Sequence, residues 1–137
     1  MNNETTALME ACWSDNLNLI KYLVEHGLDI NKEDIFGWTA LLIACQRGHI
    51  SIIKYLVEQG AKINKNKYNV ETSLYIACKN GHVDIVKYLV EHGAKISYKN
   101  YHDENLLYIE CKNGHVDIVK FLVGHGAYIN KENKKDG

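Results

Sequence analysis

Four cysteines and seven histidines are the residues of this sequence whose side chains are best suited to chemistry. The stretch IACKNGHVDIVKYLVEHGAKI, residues 76–96, contains one cysteine, two histidines and a Gly-His pair, and residues 109–129 read almost the same. Cysteine and histidine at close spacing could ligate a metal, form a disulfide or act as a nucleophile. Because a catalytic or metal site needs its residues in one place, the repetition has to be explained first.

The whole chain repeats with an offset of 33 residues. The series that keep this register include the cysteines Cys12, Cys45, Cys78 and Cys111 and the glycines Gly27, Gly60, Gly93 and Gly126. A constant period of this length is typical of a stacked repeat array, in which each unit buries its apolar face against its neighbours. We therefore predict a single domain over residues 1–137. Its four repeats are expected over residues 3–35, 36–68, 69–101 and 102–134.

Each unit has the pattern of two short helices followed by a polar loop. In the third unit, Thr72 can cap a first helix, and Gly81 can take the left-handed conformation that ends it. A second helix follows, with Asp84 in its first turn and Gly93 after its last turn. The polar stretch NKEDIFGW, residues 31–38, predicts an extended arm and a tight turn between units. The predicted fold is all-α, a solenoid of stacked helix-turn-helix units with β-hairpin-like loops.

The repetition argues against a chemical role for the cysteines. Equivalent atoms in adjacent units should lie about 8–10 Å apart, the spacing of packed helices. A disulfide needs Cα atoms within about 7 Å, and zinc needs sulfur at about 2.3 Å. We therefore predict four reduced, buried thiols, no metal site and no cofactor.

The histidines also fall into recurring positions, with one exception. Those before the second helices are expected to brace loops through hydrogen bonds: His49, His82 and His115. Those near the ends of the second helices are expected to be exposed: His26, His92 and His125. His102, beside Asp103 and Glu104, stands outside the repeated positions and could pair with a carboxylate, take up a stray metal ion or lie in an exposed polar turn. Since the sequence has no nucleophile elbow, phosphate-binding loop or zinc-protease motif, we predict that the protein is not an enzyme.

Composition and charge narrow the classes of function further. The chain has 16 Lys and Arg against 17 Asp and Glu, with the two signs interspersed, so it has no strong field to attract nucleic acid or anionic lipid. No apolar run approaches the roughly 18 residues that span a bilayer, and the first residues lack the pattern of a secretory signal. We therefore expect a cytoplasmic protein with reduced thiols that binds neither nucleic acid nor membranes.

The clearest copy of the unit is GWTALLIACQRGHISIIKYLVEQGAKIN, residues 37–64, and GLDIN (27–31) and GAYIN (126–130) repeat its ending. This pattern resembles the ankyrin-repeat family, whose unit has a Thr-Pro-Leu-His-x-Ala box, a Gly-His pair and a Gly-Ala-Asp-x-Asn ending. The proline and histidine of the box are replaced in every unit here, which should loosen the turn without changing the fold. The resemblance implies a non-catalytic module that binds another protein through a concave groove of loop tips and first helices.

Exposed positions that differ between units are where recognition of a partner can lie. Mapped onto this chain, the family's groove is rich in Trp, Tyr and Arg, the residue types that dominate binding hot spots. The predicted protein-binding residues are Trp13, Ile35, Phe36, Trp38, Arg47, Tyr68, Tyr75, Tyr101, His102 and Tyr108. The site is expected to centre on Trp13, Phe36, Trp38, Arg47 and Tyr68. The alternative is that these aromatic residues only stabilise the loops.

The two ends of the stack carry polar substitutions. Glu10 replaces the isoleucine of later units and Glu110 the alanine of earlier ones, and both are expected to make the edges polar. If the chain is a piece of a longer array, Leu107, Ile118 and Leu122 are expected to leave apolar surface at the C-terminal face, and we predict weak end-to-end self-association at high concentration. An alternative function is that of a structural spacer excised from a longer array, with no partner of its own.

Overall fold

The computed structural model describes residues 3–67, 71–97, 99 and 102–126 of the chain, and eight helices in four consecutive pairs lie within them. The helices are α1 (Asn3–Trp13), α2 (Leu17–Glu25), α3 (Ala40–Arg47), α4 (Ile50–Glu58), α5 (Ser73–Lys79), α6 (Val83–Glu91), α7 (Leu106–Asn113) and α8 (Val116–Gly124). Two short antiparallel strands, β1 (Asn66–Lys67) and β2 (Glu71–Thr72), precede α5. An isolated antiparallel bridge joins Lys99 and Asn105 before α7. The prediction of an all-α solenoid with hairpin-like loops is confirmed.

Three of the first helices, α3, α5 and α7, begin at capping side chains. The side-chain oxygens of Thr39, Thr72 and Asn105 each accept a hydrogen bond from the backbone N–H three residues on, at 3.2, 3.1 and 2.8 Å. The cap predicted at Thr72 is therefore confirmed. Between the two helices of a pair the chain takes a left-handed conformation, at Gly48 with φ of 76° and at the equivalent Asp15 with φ of 55°. Aspartate is one of the few side chains that adopt this conformation readily.

The helices form two rows that share one core. Helices α1, α3, α5 and α7 pack side by side, α2, α4, α6 and α8 form the second row, and each first helix packs on its own second helix. The apolar stripe of the second helices points between the rows, where Ile20, Ile53 and Val86 are fully buried. Each such side chain contributes about 1.5–3 kcal/mol by leaving water. Burial of this stripe therefore stabilises the stack in every unit.

Three of the four recurring cysteines lie in this core as predicted. All four are free thiols, and Cys12, Cys45 and Cys78 are buried in the row of first helices. Loss of solvent raises the pKa of the Cys12 thiol to about 12 and also raises the pKa of Cys45 and Cys78. The prediction for Cys111 is wrong, because this thiol is exposed. It lies on α7, the last of the first helices in the described residues, so no further helix of this row covers it there.

The histidines before the second helices contact the preceding unit. The Nδ1 of His49 lies 3.6 Å from the Asp15 carboxylate. The ring of His82 packs against Gly48 so closely that a Cβ at this glycine would lie 2.9 Å from the ring. His26, His92 and His125 are exposed at the ends of second helices, as predicted, and the Nδ1 of each donates to the carbonyl oxygen four residues earlier, at 2.7, 2.8 and 3.0 Å.

The polar edges expected at the two ends of the stack are only partly present. Glu10 is exposed, as predicted, but Glu110 is fully buried and its carboxylate contacts the Nδ1 of His115. Burial raises the pKa of the Glu110 carboxyl, and the hydrogen bond and charge of His115 oppose that shift. The prediction that Glu110 makes the edge of the stack polar is therefore wrong, because α7 turns this side chain toward the start of α8.

The apolar surface expected at the C-terminal face is also placed differently. Leu107, Ile118 and Leu122 are buried, so the prediction that they remain open is wrong. They pack in the core cluster together with Leu106 and Ile109 of α7. Val116 and Val123 of α8 are exposed instead, at 60% and 42%. Any contact between stacked copies at this end would therefore involve different residues from those predicted.

Two asparagines at the ends of the first and second units connect the first three units to one another. Asn31 donates from Nδ2 to the carbonyl oxygen of Gly60 (3.3 Å) and accepts from the N–H of Lys62 (2.8 Å). Asn64, 33 residues later, repeats this arrangement with Gly93 and Lys95, at 3.1 and 2.9 Å. The recurring asparagine therefore joins neighbouring units through their polar loops.

Candidate functional site

The candidate site is built on a tight turn between the first two helix pairs. One carboxylate oxygen of Asp34, Oδ1, accepts from the backbone N–H groups of Phe36 and Trp38, at 2.8 and 2.9 Å. The backbone N–H of Gly37 donates to the Asp34 carbonyl (3.1 Å), and Gly37 takes the positive φ of 83° that the turn requires. An aspartate that bonds to the backbone in this way fixes a turn. The turn therefore holds Phe36 and Trp38 in defined positions.

Trp13, Phe36 and Trp38 surround one pocket of about 280 Å³ between α1 and this turn. Trp13 comes from the last turn of α1, and the other two rings come from the tight turn. Phe36 and Trp13 are 56% and 42% exposed, and Trp38 is half-buried against the core. The buried side chains of Met9 and Ile43 also line it. We call this cavity the aromatic pocket.

Two carboxylates and one nearby guanidinium set the charge around the aromatic pocket. Glu10, exposed on α1, and Asp34, half-buried in the turn, belong to its lining. The guanidinium of Arg47 lies outside the lining, with its carbon 5.1 Å from the centre of the Trp13 ring, a cation–π contact. The lining itself therefore contains two acidic side chains and no basic one among the described residues.

The other predicted binding residues are more widely spread. Ile35 is 70% exposed at the tip of the turn but does not line the pocket. Tyr75 on α5 is half-buried against the core, and Tyr108 on α7 is 49% exposed. His102 is exposed in the turn before α7. Tyr68 and Tyr101 lie outside the described residues.

Lysine side chains accompany both tyrosines on the first helices. The Nζ of Lys79 lies 5.8 Å from the centre of the Tyr75 ring, and the Nζ of Lys112 lies 5.7 Å from that of Tyr108. The pKa of the Tyr75 hydroxyl is raised by its partial burial and by the neighbouring carboxylate of Glu71. Raised pKa values of this kind disfavour ionisation, so Tyr75 is suited to contact and hydrogen bonding rather than to acid–base chemistry.

The described residues include no cluster of three or more Cys, His, Asp or Glu side chains with the arrangement of a metal site. The buried thiols, whose pKa values are raised, have little thiolate and are poor nucleophiles. Within the same residues, no helix has the length and apolar character needed to cross a bilayer.

Sequence reasoning selected the three rings of the aromatic pocket but missed its two carboxylates. Glu10 was interpreted only as an edge residue, and Asp34 was not selected. A signal for Asp34 exists in the sequence, because Asp followed by Gly three residues later is typical of a turn fixed by an aspartate. Glu10 has no such signal, since only the packing of α1 beside the turn brings it to the pocket.

Comparison with known proteins agrees with the repeat architecture. A family model described as ankyrin repeats (3 copies) matches residues 1–67 and 64–133. The chain belongs to the ankyrin-repeat family, whose members generally mediate protein–protein interaction and are typically non-enzymatic. The resemblance seen in the sequence is thereby confirmed.

One curated relative matches over about a single repeat length. A segment of 35 residues is 49% identical to "Potassium channel AKT1" from Arabidopsis thaliana. The matched segment is 26% of this chain and 4% of the channel, so the chain spans a small fraction of the length of this relative.

Proposed function

We propose that the protein is a non-catalytic interaction module that binds a partner protein through the face formed by its loop tips and first helices. The aromatic pocket, with Trp13, Phe36 and Trp38, is the centre of this surface. The single observation that carries the proposal is the exposure of Phe36 and Trp13 around a preformed cavity, rather than in the core. Exposed apolar clusters on a folded domain mark interfaces.

The residue types at this surface favour binding to protein. Tryptophan, tyrosine and arginine dominate binding hot spots because each combines a large contact area with a polar group. The guanidinium of Arg47 already contacts the Trp13 ring. This contact keeps the indole ring in place and so reduces the conformational entropy lost when a partner binds. Tyr75 and Tyr108, on the later first helices α5 and α7, extend the surface beyond the pocket. The proposal includes a cytoplasmic location, which the free, mostly buried thiols support because they suit a reducing compartment.

The proposal is tested by selecting peptides from a random display library against the immobilised protein. The bound peptides are then measured against Phe36→Ala and against Tyr22→Ala, a matched control on α2. Tyr22 and Phe36 are equally exposed, at 58% and 56%, but Tyr22 lies in the row of second helices. We expect selected peptides to lose at least about tenfold in affinity for Phe36→Ala, the cost of removing a hot-spot residue, and to bind Tyr22→Ala normally.

The opposite pattern would overturn the proposal. If every selected peptide binds Phe36→Ala as well as it binds the wild type, the aromatic pocket is not the binding centre. If no peptide is selected at all, the alternative of a spacer with an unused surface is favoured.

A further inference from the structure

We propose that the aromatic pocket binds the cationic side chain of a lysine or arginine in a basic segment of the partner. The inference rests on the proposed function and specifies the chemistry of the residue that enters the pocket. It follows from the size of the cavity, from the rings that surround it and from the sign of the charges in its lining.

The size of the pocket fits one long side chain. Its volume of about 280 Å³ is at the lower limit of cavities that hold drug-sized ligands, which range from about 300 to 1,000 Å³. Its inner lining is apolar, because Met9 and Ile43 are buried there. Lysine and arginine bury an apolar stem while their charged head stays near polar groups. A side chain of this shape would place its stem on Met9 and Ile43 and its head near the carboxylates.

The rings favour a cation over a neutral or acidic group. Trp13, Phe36 and Trp38 line one cavity, and the faces of aromatic rings attract cations, tryptophan most strongly. The contact between Arg47 and Trp13, at 5.1 Å, is an example of this attraction at the same ring. The pocket thus contains the ring types that cation recognition uses.

The charges of the lining residues also favour a cationic ligand. Glu10 and Asp34 are the charged residues of the lining, and both are acidic. The Oδ1 atom of Asp34 is occupied by two backbone N–H groups of the turn. The backbone carbonyl of Glu10 accepts from the N–H of Ser14 within the helix, but its exposed carboxylate has no hydrogen bond or ion pair within the described part of the chain and is available to a ligand. An acidic ligand would meet two like charges in the lining, and a purely apolar one would gain nothing from the Glu10 carboxylate.

The test uses the two tryptophans, which are the only ones in the chain and both line the pocket. Their two indole N–H signals are followed by NMR while Nα-acetyl-lysine amide or Nα-acetyl-arginine amide is added. Nα-acetyl-norleucine amide, with a similar stem and no charge, is the neutral probe. The matched variants are Glu10→Gln and Glu91→Gln, which remove the same charge from two exposed glutamates, one in the pocket and one at the end of α6.

We expect both cationic probes to shift the indole signals with a dissociation constant on the order of 1–10 mM, the range for so small a ligand. Affinity should fall about fivefold in Glu10→Gln and remain unchanged in Glu91→Gln, and it should weaken as salt is added. Equal shifts with the norleucine probe, or an unchanged affinity in Glu10→Gln, would overturn the inference. The same holds if no probe shifts either signal.

The outcome is separable from that of the proposed function. Display peptides that depend on Phe36 but lack lysine and arginine would overturn the cation inference and leave the interaction module intact. The absence of any Phe36-dependent peptide would overturn the proposed function, whatever the small probes do.

Discussion

Asn31→Ala is expected to weaken the junction between the first two units without disturbing either unit. The side chain makes two hydrogen bonds to the next unit, to Gly60 and Lys62, at 3.3 and 2.8 Å. In stacked arrays, the free energy of unfolding is approximately the sum of one contribution from each unit and one from each contact between neighbouring units. Loss of this contact should therefore lower the free energy of unfolding of the whole chain.

The magnitude follows from the number of bonds and from their exposure. A protein hydrogen bond contributes about 0.5–1.5 kcal/mol net, and both bonds of Asn31 lie where water can replace them. We therefore take the lower half of the range and expect a loss of about 1–2 kcal/mol in the free energy of unfolding. Asn64→Ala should cost the same, because Asn64 makes the same two bonds at the next junction.

Urea unfolding followed by circular dichroism measures this loss. Asn31→Asp is a second variant that should also be less stable than the wild type, since aspartate keeps the acceptor for the N–H of Lys62 but replaces the donor to Gly60 with an oxygen that the Gly60 carbonyl repels. A free energy of unfolding for Asn31→Ala within about 0.3 kcal/mol of the wild type, an effect typical of an ordinary surface substitution, would refute the reasoning. The asparagine bridges would then be incidental to stacking.

Three further predictions concern core, thiols and pH. Ile53 is fully buried, so Ile53→Ala should lower the free energy of unfolding, measured by urea unfolding, by about 2–5 kcal/mol. A loss below about 1 kcal/mol would contradict the assignment of this apolar stripe to the core. A thiol reagent should modify the exposed Cys111 rapidly and the buried Cys45 only on unfolding, and equal rates would contradict this. Burial raises the pKa of Glu110, so its contribution to stability is present below the ordinary glutamate pKa of 4.5 and is lost as pH rises through the folded value. Urea unfolding should therefore show Glu110→Ala gaining stability relative to the wild type as the pH rises from about 4.5, and a difference independent of pH would contradict it.

Most of the fold could be predicted because it is set by local chemistry that repeats. The caps at Thr39 and Thr72, the left-handed glycine at Gly48 and the apolar stripe with Ile53 are each visible in a single unit. The 33-residue period then indicates that the units stack. The burial of side chains at the ends of the stack could not be predicted in this way. The exposure of Cys111, for example, depends on whether another helix packs on α7, and a repeating pattern does not encode this.

The site could be predicted in part, for a related physical reason. Aromatic residues at positions that vary between units stand out against a repeating background, and this signal indicates Trp13, Phe36 and Trp38. The carboxylates were missed because their role depends on tertiary placement. Glu10 reaches the pocket only through the packing of α1 beside the turn, and Asp34 lines it while it also bonds to the turn backbone.

The central claim is that the loop tips and first helices, which vary between units, bind a partner, while the repeated residues stabilise the stack. Amide NMR shifts that map a display-selected peptide on the protein test this claim most directly. We predict the largest shifts at residues 34–38 and in the last turn of α1, with smaller ones along α3 and α5. Largest shifts on α4 and α6, in the row of second helices, would contradict the account.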